Sequence, residues 1–234
     1  MNLFGNHDVV TIDSWQCPVE SGPLLLTMPN IPAPLHGLNP RTLMGDEEWD
    51  EQRFACYSRA SYQCEICQAK CERMQAHELY AYNYVTFTAV FKRLIAVCDR
   101  CHRAIHSGRL TTMTKDGDVS PEYFLEVAEH CFKLIHDYNL ECGTNFRLYD
   151  SFLCALRNPE IHDKLAELIN KYDIKFYRTP NPKKREWDKW RLVWGSKIIH
   201  SHYASHDEWA KQMAIQKQND YMRNRVLAPA QLTS

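Results

Sequence analysis

At 234 residues, 44% of them hydrophobic, the chain has enough apolar material for one or two folded domains. A formal net charge of −1 excludes a protein that coats nucleic acid through a uniformly basic surface. No window reaches the roughly twenty apolar residues of a membrane-spanning helix, and residues 1–13 lack the basic-then-apolar order of a secretion signal, so an intracellular chain with no membrane partner is expected.

Residues 1–45 are rich in proline and glycine, with Pro29, Pro32, Pro34 and Pro40 preventing a long helix. They read as an extended segment that wraps the body of the protein or a partner. Residues 46–61 follow helical spacing, with Trp49, Phe54, Tyr57 and Ala60 as apolar members and Asp46 as the N-cap. Residues 74–81 and 91–97 read as the two strands of a hairpin, the second β-rich and apolar. A short helix over 100–107 follows, stopped at Gly108. Residues 46–110 are thus expected to form one unit.

After Thr111 the pattern changes. Ser120-Pro121-Glu122 opens a helix with proline at its first position, and Phe124, Leu125, Ala128, Phe132, Leu134 and Ile135 give residues 122–137 one apolar face. Two more helices are expected over 146–156 and 161–172, separated by Asn158-Pro159, so 111–178 reads as a helical extension. In the last stretch, 179–234, residues 190–194 and 197–203 flank the turn Gly195-Ser196 as a β-hairpin, and Ser205 caps a helix running to about residue 224. Trp187, Trp190, Trp194 and Trp209 are concentrated there among basic residues. The expected fold class is α+β.

The most specific chemistry lies between Cys64 and His106. Cys64 and Cys67 form one Cys-x-x-Cys pair, and Cys98 and Cys101 form a second about thirty residues on, the spacing of a four-thiolate zinc site. Ten cysteines in a secreted chain would suggest disulfides, but this pairing, with histidines interleaved, points to metal in a reducing compartment. Cys71 is close enough to Cys67 to be an alternative ligand. His102 and His106 follow the second pair at i, i+4, which on a helix puts both imidazoles on one face for a further ion. Ala76-His77-Glu78 lies between the pairs, where a paired strand brings it opposite.

These residues, in this order, resemble the HNH nucleases, also called ββα-metal or His-Me finger nucleases, in the subgroup clamped by four cysteines. The resemblance covers residues 51–108. It implies a zinc-stapled ββα core, with structural Zn²⁺ on Cys64, Cys67, Cys98 and Cys101. It also implies a catalytic divalent ion, Mg²⁺ or Mn²⁺, on His102 and His106 beside the scissile phosphate. Members carry a residue pair whose first residue binds this ion and whose second is the general base. With His77 aligned as the base, the ligand position is Ala76. With His77 aligned as the ligand, which Leu79 after the pair favours, Glu78 stands as the base or orients His77. The family's middle asparagine falls at Arg93. The implied activity is metal-dependent hydrolysis of DNA phosphodiester bonds by His77, Glu78, His102 and His106. The alternative is an HNH-like zinc scaffold without catalysis that binds DNA or a protein partner.

Phosphate neutralisation is local, so a nearly neutral chain can still bind DNA through patches. Residues 51–110 carry nine Lys or Arg against five Asp or Glu, which makes Arg93, Arg103 and Arg109 candidate contacts. Lys183, Lys184, Arg185, Lys189 and Arg191 form a second basic cluster. The tryptophans beside it are expected either to stack on bases or to form a small core.

Overall fold

The computed structural model describes residues 9–38, 43–178, 180–201 and 203–215. Strands β1 (Val9–Thr11) and β2 (Ser14–Trp15) precede two 3-10 turns, Pro23–Thr27 and Ala33–Leu35. Helix α1 (Asp46–Arg59) leads to the hairpin of β3 (Gln75–Asn83) and β4 (Thr88–Val97), and then come helices α2 (Asp99–Ile105), α3 (Ser107–Lys115) and α4 (Pro121–Cys142). Next are β5 (Leu148–Tyr149), α5 (Ser151–Cys154), α6 (His162–Lys171) and β6 (Phe176–Arg178). A 3-10 segment at Lys184–Lys189, the hairpin of β7 (Arg191–Trp194) and β8 (Lys197–His200), and helix α7 over 206–215 complete the described chain. The architecture is mixed α+β. No described helix is long and apolar enough to cross a membrane.

The hairpin of β3 and β4 is the centre of a five-stranded sheet ordered β2-β3-β4-β7-β8, in which only β4 and β7 run parallel. Successive strand residues face opposite sides, so His77 and Leu79 share one face of β3 while Glu78, Tyr80 and Tyr82 share the other. Leu79 pairs with Arg93 and Tyr80 with Phe91, so the register skips Lys92 in a bulge. Asn83 closes the turn by accepting hydrogen bonds from the amides of Val85 and Thr86. β4 then passes through Cys98 directly into α2.

Helix α4 forms for the reasons its sequence carries. The Ser120 hydroxyl accepts from the Tyr123 amide, Pro121 occupies the first turn, and Gly143 stops the helix in the left-handed conformation (φ 62°). Its buried side Phe124, Val127, Ala128, Cys131, Phe132 and Ile135 packs into the main core, where Phe132 lies 5.1 Å from Phe152, ring to ring.

Elsewhere the structure departs from the sequence pattern. Residues 9–38 do more than wrap the body. β1 pairs in parallel with β6, β2 pairs with β3, and Leu24, Leu25, Leu26, Met28 and Leu35 are buried in the core. Gly45 (φ 89°), not Asp46, is the N-cap of α1. The expected helix over 146–156 gives way to β5, α5 and a 3-10 turn, because Leu148 and Tyr149 are taken up by pairing with β6. Gly108 does not end the short helix expected over 100–107. The break falls at His106 (φ −89°, ψ 37°), and Gly108 lies inside α3, where a Cβ would stand 3.1 Å from Asn30 Nδ2. Trp187 and Trp190 are buried, Trp194 stacks on Phe91 at 4.2 Å and Trp209 packs against Trp187 and His36, the last two rings staying half-buried. The expected helical residues 216–224 lie outside the described residues.

Phe132 is fully buried. Phe132→Ala should therefore destabilise the chain by about 3–5 kcal/mol, read as a lowered urea midpoint at unchanged m-value.

Candidate metal centres

The first centre is built by two tight turns. In the first, the Cys64 amide donates to the Ala69 carbonyl and the Gln68 amide to the Cys64 carbonyl, with Gln68 in the left-handed region (φ 61°). In the second, the Cys98 sulfur caps α2 by accepting from the Cys101 amide at 3.4 Å. The ligand atoms of Cys64, Cys67, Cys98 and Cys101 all lie within 4.8 Å of one another. The Cys67 and Cys98 sulfurs are 3.9 Å apart. Tetrahedral Zn–S bonds of about 2.3 Å set sulfurs about 3.8 Å apart, so this donor set fits a structural metal such as zinc. Hydrogen bonding among the thiols, from Cys101 first, holds Cys64 and Cys98 below the ordinary thiol range, while within the same group Cys67 and Cys101 lie above it. Cys71 is outside the group, and its sulfur donates to the Ala69 carbonyl.

Sequence spacing gave no hint of His130. It reaches from α4 to place Nε2 3.4 Å from the Cys101 sulfur, where an N–H can donate to a thiolate and temper its charge. Packing of α4 on α2 brings it there.

The second group consists of His77 from β3, His102 from α2 and His106 at the α2–α3 break. Their ligand nitrogens also lie within 4.8 Å of one another. Ring centroids are 5.4 Å apart for His77 and His102, 4.8 Å for His77 and His106, and 4.7 Å for His102 and His106. The cause is topological. α2 follows β4 without a linker and packs on the hairpin face that carries His77 and its pairing partner Ile95. His77 is 4% exposed, and its Nδ1 is buried with no hydrogen-bond partner. Burial pushes His77 well below its ordinary value, His102 to about 4 and His106 to about 3, with Arg109 adding to the last two. The three imidazoles thus bring one ring nitrogen apiece within reach of a shared cation, and His77 keeps a buried nitrogen without a hydrogen-bond partner.

Beside this group opens a cleft of about 240 Å³, lined by Gln75, Asp99, His102, Arg103, His106, Arg109, Leu110 and Met113. Arg103 and Arg109 thus line the same cleft as His102 and His106. The other sequence candidates do not. Glu78 pairs with Leu94 on the opposite face of the sheet, which α1 covers, and burial raises its carboxyl. Arg93 is an internal tie. Its Nη1 donates to Glu65 Oε1 at 2.7 Å and its Nη2 to the Glu20 carbonyl, while Glu65 Oε2 accepts the Ala96 amide at 2.6 Å. Arg93 thus fastens the first cysteine turn to β4.

The second basic cluster sits at the other end of the hairpin. Arg191 pairs with Thr88, seven residues along β4 from Ile95, which is about 20 Å of strand. There Lys189 lies over the Phe87 ring at 5.6 Å and the Lys183 amide donates to Glu186, while Arg185 is exposed. The side chain of Lys184 lies outside the described part.

Comparison with family models, with curated proteins and with solved structures gives no significant match to this chain.

The two groups should separate under mutation. Cys64→Ser is expected to lose its metal to a chromogenic chelator and to melt the hairpin and α2 in far-UV circular dichroism, because structural metal binding is folding free energy. His106→Ala should keep both the sulfur-bound metal and the fold.

Proposed function

We propose that this chain is a metal-dependent endonuclease of the HNH type, hydrolysing DNA phosphodiester bonds with an ion held by His77, His102 and His106. The observation that carries this is the convergence of one buried and two half-buried imidazoles, His77 from a strand and His102 and His106 from the following helix, beside a cleft that carries two arginines.

An ion bound there would supply Lewis acidity toward a phosphoryl oxygen and acidify a water at neutral pH. The chain's own groups do the rest. Neutral nitrogen ligands leave the full charge on the ion, and an all-imidazole set suits Mn²⁺, Co²⁺, Ni²⁺ or Zn²⁺ better than oxygen-preferring Mg²⁺. His77 acts as the third ligand, because burial makes it a poor base near pH 7. Cys98 and Cys101, which would hold a structural metal together with Cys64 and Cys67, lie at the start of α2, and their placement sets the direction of His102. Lys189, Arg185 and Arg191 would meet the same DNA roughly six base pairs away, at 3.4 Å per pair. One observation favours the second reading, a zinc scaffold that binds DNA without cutting it. Glu78, which the family pattern would use as base once His77 is a ligand, faces away from the three histidines.

Supercoiled-plasmid cleavage separates the two. Wild type with Mn²⁺ is expected to give open-circle or linear DNA, faster than with Mg²⁺ and not at all with EDTA. His106→Ala should lower the rate by about 10²-fold or more at unchanged circular dichroism. A folded, metal-loaded wild type that leaves plasmid, single-stranded DNA and RNA intact would rule for the scaffold.

A further inference from the structure

The two arginines of the cleft are held in opposite ways. Arg103 is fixed. Its Nε donates to Asp99 Oδ2 at 3.1 Å, and its guanidinium carbon lies 5.7 Å from the centroid of the Tyr123 ring. Asp99 is itself pinned, accepting the Tyr123 hydroxyl at 2.5 Å on the same oxygen and the Gln75 amide at 2.9 Å on the other. Of the remaining guanidinium donors, Nη1 meets only the Met113 thioether at 3.7 Å, a weak acceptor that a phosphate oxygen would displace. Arg109, by contrast, is exposed, and among the described residues it has no ion pair or hydrogen bond.

We propose that the cleft is a two-armed clamp for a single phosphodiester group, and that Tyr123, acting through Asp99, is the positioning residue of its first arm. The ligand's identity rests on the nuclease reading, whereas the clamp itself rests on these contacts. A guanidinium whose Nε is engaged offers its Nη edge as a planar fork that matches two phosphate oxygens. Because Asp99 and Tyr123 hold the side chain before any ligand arrives, less rotamer freedom remains to be lost on binding. Asp99 also balances the charge of Arg103, so this arm contributes geometry. Arg109 contributes the uncompensated charge that draws in the anion and displaces counterions. Tyr123 stands in α4, so the helix that the sequence sets apart as an extension completes the site.

The test is binding, not hydrolysis. The probe is a fluorescent 20-base-pair duplex with a phosphorothioate backbone, which keeps the charge and resists cleavage, titrated with the zinc-loaded full chain at several salt concentrations. Arg109→Ala should lower the slope of log K against log salt by about 0.9. Tyr123→Phe keeps the ring but loses the hydroxyl, and should weaken binding about fivefold at unchanged slope. In an Arg103→Ala background Tyr123→Phe should weaken it no further. An unchanged slope in Arg109→Ala, a Tyr123→Phe loss that persists without Arg103, or a folded wild type that does not bind the duplex would each overturn the clamp. Failure to cut plasmid would instead fall on the nuclease reading and leave the clamp standing.

Discussion

Cys98 stands where three constraints meet. It follows β4 directly, caps α2 through the Cys101 amide, and shares a group of four sulfurs with Cys64, Cys67 and Cys101. α2 spans only seven residues, far below the length at which an isolated helix is stable in water. Its direction is therefore imposed by the sulfurs and by its neighbours. His102 and His106 ride on that direction, and their meeting with His77 is its consequence.

Helix α4 is the second support. His130 reaches the Cys101 sulfur, and Tyr123 reaches Asp99 in the first turn of α2. The Arg93–Glu65 pair works from the other side, tying the first cysteine turn to β4. Packing three imidazoles together under burial carries a desolvation cost that ordinary apolar side chains would avoid. A cation shared by their lone pairs, as proposed above, would offset it.

What the sequence made legible was local. The cysteine pairs, the i, i+4 histidines, the β-rich run before Cys98, and the Ser-Pro start of α4 each carry their signal within a few residues. What stayed hidden depends on distant partners. Leu148 and Tyr149 look helical until β6 pairs with them, and strands as short as β1 and β2 gain their conformation only from β6 and β3. The same holds for charge. Arg93 and Arg109 look alike in sequence, yet one is bound to Glu65 and the other is free in the cleft. Glu78 follows His77 directly, and strand alternation alone sends it to the other face. His130 and Tyr123 lie on a helix whose sequence advertises only its apolar side.

Two donor groups, one of four sulfurs and one of three imidazoles, are each proposed to hold a metal ion. The most direct measurement is a Co²⁺ titration of the metal-free chain followed by absorption spectroscopy. Two ions per chain are expected, one per donor group. One should give intense sulfur-to-metal charge-transfer bands. The other should give only weak ligand-field bands, which vanish in His77→Ala. Saturation at a single sulfur-ligated ion, with His77→Ala indistinguishable from wild type, would contradict a second, nitrogen-ligated ion.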